Sequence, residues 1–188
     1  MSDDHQESLD LFDDHEEVVS EDGKKVTRKG IYLLPNLLTT ASLFSGFFSI
    51  VSAINGNFIA SGMALFAAQM LDGLDGRIAR LTNSQSLFGA QYDSLCDVIS
   101  FGLAPAIIVF LWGLDSMGQA GWVFSFLYVA AAALRLARFN TYIGSEDTYF
   151  KGLPSPVASG MVVYFVWAMS SYGVQGEEVG AILAIFTA

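Results

Sequence analysis

The sequence predicts an all-α fold, a polytopic transmembrane helix bundle of about six spans with the last incomplete. Three observations predict it. The chain is 53% hydrophobic and only 15% charged, with a mean hydropathy of +0.46, whereas soluble domains carry about 25% charge. Five apolar segments approach the roughly 20 residues that a helix needs to cross a bilayer core. All nine Lys and Arg residues fall at the ends of those segments that one membrane face would share.

Residues 1–22 precede the first span. They hold ten of the nineteen acids and neither Lys nor Arg, so the net charge of −10 belongs to this stretch. It reads as a disordered acidic cytoplasmic tail, with residues 23–188 forming the membrane domain. It has no basic region followed by an apolar run, so it is not a secretory signal. His5 and His15 lie among acids and read as solvated. The acidic balance excludes nucleic acid as a partner.

The spans follow in order. The first runs from Leu33 to Ile54, opening at Pro35-Asn36, where proline suits a helix start. Asn55-Gly56-Asn57 signals a turn. The second runs from Phe58 to Leu81 and becomes polar after Met70. Asn83 to Ser86 breaks the chain. The third covers Leu87 to Trp112, with a kink expected at Pro105. The fourth covers Trp122 to Phe139, a polar loop runs from Asn140 to Lys151, and the fifth covers Pro156 to Tyr172. A sixth begins near Glu178 and meets the chain end at Ala188, too short to span. With the N-terminus cytoplasmic, Lys24, Lys25, Arg28, Lys29, Arg77, Arg80, Arg135, Arg138 and Lys151 all lie inside. The outer turns near Asn55, Asp115 and Glu177 carry no base. The single cysteine, Cys96, excludes a disulfide within one chain and reads as a packing residue.

Spans two and three carry Asp72, Asp75, Asp93 and Asp97. One charged residue at mid-bilayer costs about 2.5–3.5 kcal/mol on insertion scales, so four cost on the order of 10 kcal/mol in lipid. They must face the bundle interior or a wet cavity. Asp72 and Asp75 are spaced i, i+3 and Asp93 and Asp97 i, i+4, so each pair shares a helix face. The short connection makes the two spans antiparallel neighbours, with both pairs at similar depth. An all-oxygen cage of charge −4 suits two hard divalent cations such as Mg²⁺. Gly73, Gly76, Ala79, Gly89 and Ala90 lie at the same level. They serve either close helix packing or room for a bulky ligand. Arg80, one turn past Gly76, is either a snorkelling anchor or a bidentate phosphate clamp.

The run Asp72-Gly-Leu-Asp75-Gly76-Arg-Ile-Ala79-Arg80, eight residues, Gly89, three residues, Asp93, three residues, Asp97 fills every fixed position of a known pattern. It resembles D-x-x-D-G-x-x-A-R-x8-G-x3-D-x3-D, the motif of the CDP-alcohol phosphatidyltransferase family. The resemblance implies that Asp72, Asp75 and Asp93 hold two divalent cations, Mg²⁺ or Mn²⁺. Asp97 would touch one metal and act as base on the acceptor hydroxyl. Gly76, Ala79 and Gly89 would line the cytidine pocket, helped by Arg80, with Asn36 and Thr39 reaching the nucleotide from span one.

Three flanking stretches, Ile31 to Thr39, Leu134 to Asn140 and Phe150 to Pro156, resemble the integral-membrane phosphatidylserine synthases within that family. They imply CDP-diacylglycerol and L-serine as substrates, in a homodimer among membrane lipids. Arg135, Arg138, Asn140 and Lys151 are then candidates for the serine carboxylate or a lipid phosphate. Family members continue past residue 188 with further hydrophobic helix, so the domain reads as C-terminally truncated. Transfer to glycerol 3-phosphate or an inositol phosphate is the nearest alternative, though a phosphorylated acceptor calls for more cationic groups than nine. A membrane prenyltransferase would use helical Asp clusters without the glycine and arginine pattern. A cation channel would need a water path to both faces.

Overall fold

The computed structural model describes residues 17–19, 25–27, 33–82, 87–141, 154–174, 176 and 184. The protein is an all-α membrane protein, apart from a short ribbon near its start. In that ribbon β1 (Glu17–Val19) pairs antiparallel with β2 (Lys25–Thr27), Val18 opposite Val26. The rest of the expected tail, Lys151 with its loop, and all of the sixth segment except the buried Ala184 lie outside the described residues.

The first two helices keep the bounds read from the sequence. α1 (Leu33–Ile54) ends where Gly56 takes a positive φ of 73°. α2 (Phe58–Leu81) begins where the Asn57 side chain accepts from the Ala60 N–H at 3.0 Å. That cap satisfies one of the donors a helix start leaves open. The two helices then pack antiparallel through hydroxyls. Ser49 Oγ donates to the Ser61 carbonyl at 2.7 Å, and Ser61 Oγ returns a bond to the Ser49 carbonyl at 2.8 Å. Two turns along, Ser42 Oγ donates to the Ala68 carbonyl at 2.9 Å. Without water to compete, such bonds hold helices close, at about 0.6 kcal/mol each on average.

The third span is not one uniform helix. It consists of α3 (Leu87–Asp97), a π-helical turn at Val98–Leu103, α4 (Ala104–Val109), a second π turn at Phe110–Leu114 and a 3₁₀ turn at Asp115–Met117. The kink expected at Pro105 takes the form of the first π turn. Proline has no N–H to return to the preceding carbonyls, and the Ala104 N–H already reaches back five residues to Ile99. The Phe101 carbonyl accepts from the Tyr128 hydroxyl of α5 (Gln119–Thr141) at 3.3 Å. The chain then crosses a loop to α6 (Ser155–Ser171).

Three helical stretches are long and apolar enough to cross a membrane: Leu34–Ile54, Phe88–Met117 and Gln119–Asn140. α2 has the length, at 24 residues, but carries Asp72, Asp75, Arg77 and Arg80 in its second half. α6 has 17 residues. Phe101, Ile108, Val109, Leu114, Leu65, Val163 and Val166 form the buried centre, while Phe44, Phe47, Phe126 and Leu134 are exposed. In water those side chains would be an aggregation hazard; facing acyl chains they are at home.

One expectation is corrected. α2 and α3 make almost no close backbone contact, and α1 packs against both. A short connection fixes adjacency in sequence, but two faces bearing four carboxylates cannot close on each other without something between them.

Close approach is spent elsewhere, at Gly46 of α1. A methyl there would lie 2.5 Å from Ser100 Oγ and 3.0 Å from Ser100 Cα in the first π turn. Gly46→Ala is therefore expected to destabilise the fold by about 1–3 kcal/mol. Thermal unfolding in detergent measures this, and an unchanged midpoint would show that the helices can part at no cost.

Candidate active site and metal centre

The gap between α2 and α3 is where the aspartates meet. Asp72, Asp75 and Asp93 each present an oxygen, and the three lie within 4.8 Å of one another. Asp75 is buried at 4% exposure, while Asp72, Asp93 and Asp97 are half-buried. Asp97, the last residue of α3 before the π turn, lies with its carboxyl against that of Asp72. Carboxylates brought this close repel unless a proton or a cation sits among them.

The donor set fits a hard divalent cation. It is all oxygen, and oxygens about 2.1 Å from one Mg²⁺ lie at most about 4.2 Å apart, so a small closure or a second shared ion completes the match. Thr39 adds an oriented contact from α1. Its Oγ1 donates to Asp75 Oδ2 at 2.7 Å, with the Pro35 carbonyl a second acceptor at 3.1 Å. Next to it, Thr40 Oγ1 lies 2.9 Å from Tyr92 Oη, one residue before Asp93.

The small residues divide into two kinds. A methyl built on Gly73 would meet nothing within 4 Å, and one on Gly76 only the tip of Arg80, at 3.9 Å. By contrast one on Gly62 would meet Trp167 Cβ at 2.9 Å, and one on Gly160 the Gln69 amide nitrogen at 3.0 Å. Gly73 and Gly76 therefore keep space open beside the aspartates, and the packing role falls to glycines further along. Arg80 is exposed and its Nε donates to the Gly76 carbonyl at 3.0 Å, laying the guanidinium along that open face. Ala79, Gly89 and Asn36 are half-buried.

Of the residues expected to meet the acceptor, Arg135, Arg138 and Asn140 lie in the last turns of α5, and Lys151 lies outside the described residues. Ser94, beside Asp93, donates to Asn140 Oδ1 at 3.2 Å. Arg135 Nη1 donates to Ser155 Oγ at 3.1 Å, at the head of α6. Arg138 is exposed near the end of α5. Sequence reasoning missed Gln69, one turn before Asp72. Its amide donates to the Pro156 carbonyl at 2.6 Å and to Ser159 Oγ at 3.2 Å, and its Oε1 accepts from Tyr164. The signal was available: a lone amide in an apolar run must find partners when it is buried.

Comparison with known proteins agrees with this geometry. Residues 32–188 match the family described as CDP-alcohol phosphatidyltransferase. A CDP-diacylglycerol–serine O-phosphatidyltransferase of Helicobacter pylori is 44% identical over 143 residues, covering 76% of this chain and 60% of that protein. One from Mycobacterium tuberculosis is 37% identical over 145 residues, covering 73% and 50%. An archaetidylserine synthase of Methanothermobacter thermautotrophicus is 39% identical over 138 residues, covering 72% and 58%. The chain thus spans half to 60% of the length of these relatives.

Proposed function

The chain belongs to the CDP-alcohol phosphatidyltransferase family, and from that membership we propose that it transfers the phosphatidyl group of CDP-diacylglycerol to the hydroxyl of L-serine, forming phosphatidylserine and releasing CMP. The observation that carries the proposal is the meeting of Asp72, Asp75 and Asp93 within 4.8 Å, beside glycines that leave open space.

In this reading Asp72, Asp75, Asp93 and Asp97 hold two divalent cations, Mg²⁺ or Mn²⁺. When bound, these ions offset the diphosphate charge and stabilise CMP as it departs. Gly76, Ala79 and Gly89 border the nucleotide, and Asn36 faces it from α1. Arg80, held along the Gly76 face, supplies a cation to the same ligand. Asp97 takes the proton from the serine hydroxyl as its oxygen bonds to the phosphatidyl phosphorus. The P–O bond to CMP breaks, and its electron pair leaves with CMP. Arg135, Arg138 and Lys151 are proposed for the serine carboxylate or a lipid phosphate, and Asn140 for the ammonium group. The contacts of Asn140 with Ser94 and of Arg135 with Ser155 support this by tying both to the aspartate end of the bundle.

The distribution of bases supports a cytoplasmic N-terminus and an active site facing the cytoplasm. A homodimer is proposed too. The α5 span is only 11% buried within the chain, against 39% and 50% for the other two spans, so it offers a face for a second copy. Labelled L-serine with CDP-diacylglycerol in mixed micelles is expected to yield one lipid product and equimolar CMP. Preferential turnover of glycerol 3-phosphate or an inositol phosphate in the same assay would refute serine as acceptor while leaving the metal site intact.

A further inference from the structure

We propose that Thr39 is a positioning residue that orients the Asp75 carboxylate for the divalent cation, a role that rests on the metal reading above. Thr39 is 5% exposed and Asp75 4% exposed, the most buried of the four aspartates. The hydroxyl has a single proton and two acceptors in reach: the Asp75 Oδ2 at 2.7 Å and the Pro35 carbonyl at 3.1 Å. The shorter bond is to the charged oxygen, and charge-assisted bonds are the stronger. Held at one oxygen, the carboxylate keeps its other oxygen and its remaining lone pairs for a cation, in a fixed direction.

The need for such a contact comes from the fold. α2 and α3 meet through their aspartates with almost no close backbone contact, whereas α1 packs on both. α1 therefore helps to set the relative placement of Asp75 and Asp93. Two consecutive α1 residues reach the two aspartate helices, Thr39 to Asp75 and Thr40 to Tyr92 beside Asp93. The nucleotide contact expected of Thr39 would have to share a hydroxyl already engaged with Asp75.

The test is Mn²⁺ binding to the detergent-solubilised chain, followed by electron paramagnetic resonance with neither nucleotide nor lipid present. Thr39→Val keeps the branched shape and removes the donor, and is expected to weaken Mn²⁺ binding about 10- to 100-fold, while Thr39→Ser, which keeps the donor, stays within about threefold of the parent. In an Asp75→Asn background, Thr39→Val should cause no further loss, because the hydroxyl acts through that carboxylate. Thermal unfolding in chelator checks the fold of each variant, and Thr39→Ala takes the place of Thr39→Val if the latter does not fold. The proposal is overturned if Thr39→Val binds Mn²⁺ like the parent, if Ser and Val weaken it equally, or if Val weakens it further without Asp75. A parent chain that binds no Mn²⁺ would bring down the metal reading itself and this role with it. A parent that binds normally beside an equally good Thr39→Val would remove only the role of Thr39.

Discussion

Stripping divalent metal is expected to abolish transfer, and returning Mg²⁺ or Mn²⁺ to restore it. The reason lies in the charge placed between α2 and α3. Three carboxylates within 4.8 Å, with Asp97 against Asp72, cannot all ionise in a low-dielectric setting without a counter-charge. A substrate diphosphate brings further negative charge to the same gap, so binding and chemistry both require cations there. Loss of turnover to background after chelation, with recovery on adding either ion, is the expected outcome. Asp72→Asn and Asp93→Asn should imitate partial stripping, weakening metal and nucleotide binding together. Full activity in a rigorously metal-free preparation would sink the idea.

The sequence made some of this arrangement legible. The bounds of α1 and α2 followed from an apolar run interrupted by Asn55-Gly56-Asn57, because that turn is dictated locally by a positive-φ glycine and an asparagine cap. The convergence of Asp72, Asp75 and Asp93 was legible for a similar reason, since i, i+3 and i, i+4 spacings fix a shared helix face whatever the neighbours do. What depended on distant residues was not legible. Pro105 announced a break but not its form, a π turn whose Phe101 carbonyl accepts from Tyr128 of another helix. Gly73 and Gly62 are the same residue in the same helix. One faces open space and the other Trp167, and only the fold separates them. The insertion of α1 as the support of both aspartate helices was equally hidden, because a short connection says which helices follow each other and not which ones touch.

Asp97→Asn is expected to keep CDP-lipid binding while turnover falls by roughly 10²-fold or more, the scale for losing a general base. Asp97 differs from its three partners in place as well as in proposed role. Asp72, Asp75 and Asp93 converge on one another, whereas Asp97 joins them through Asp72 and ends α3 at the point where the backbone widens into the π turn. In the proposed role its carboxyl touches the metal site at one side and a hydroxyl acceptor at the other. Asparagine preserves its size and one carbonyl oxygen, so a ligand contact can survive, but no basic oxygen remains to take the acceptor proton. Calorimetric binding of the CDP-lipid headgroup, measured beside turnover for Asp97→Asn and Asp93→Asn, separates the two roles. Binding lost as severely as in Asp93→Asn would make Asp97 chiefly a ligand. Near-normal turnover would make it neither base nor ligand, and the proton would then have to leave by way of another group or water.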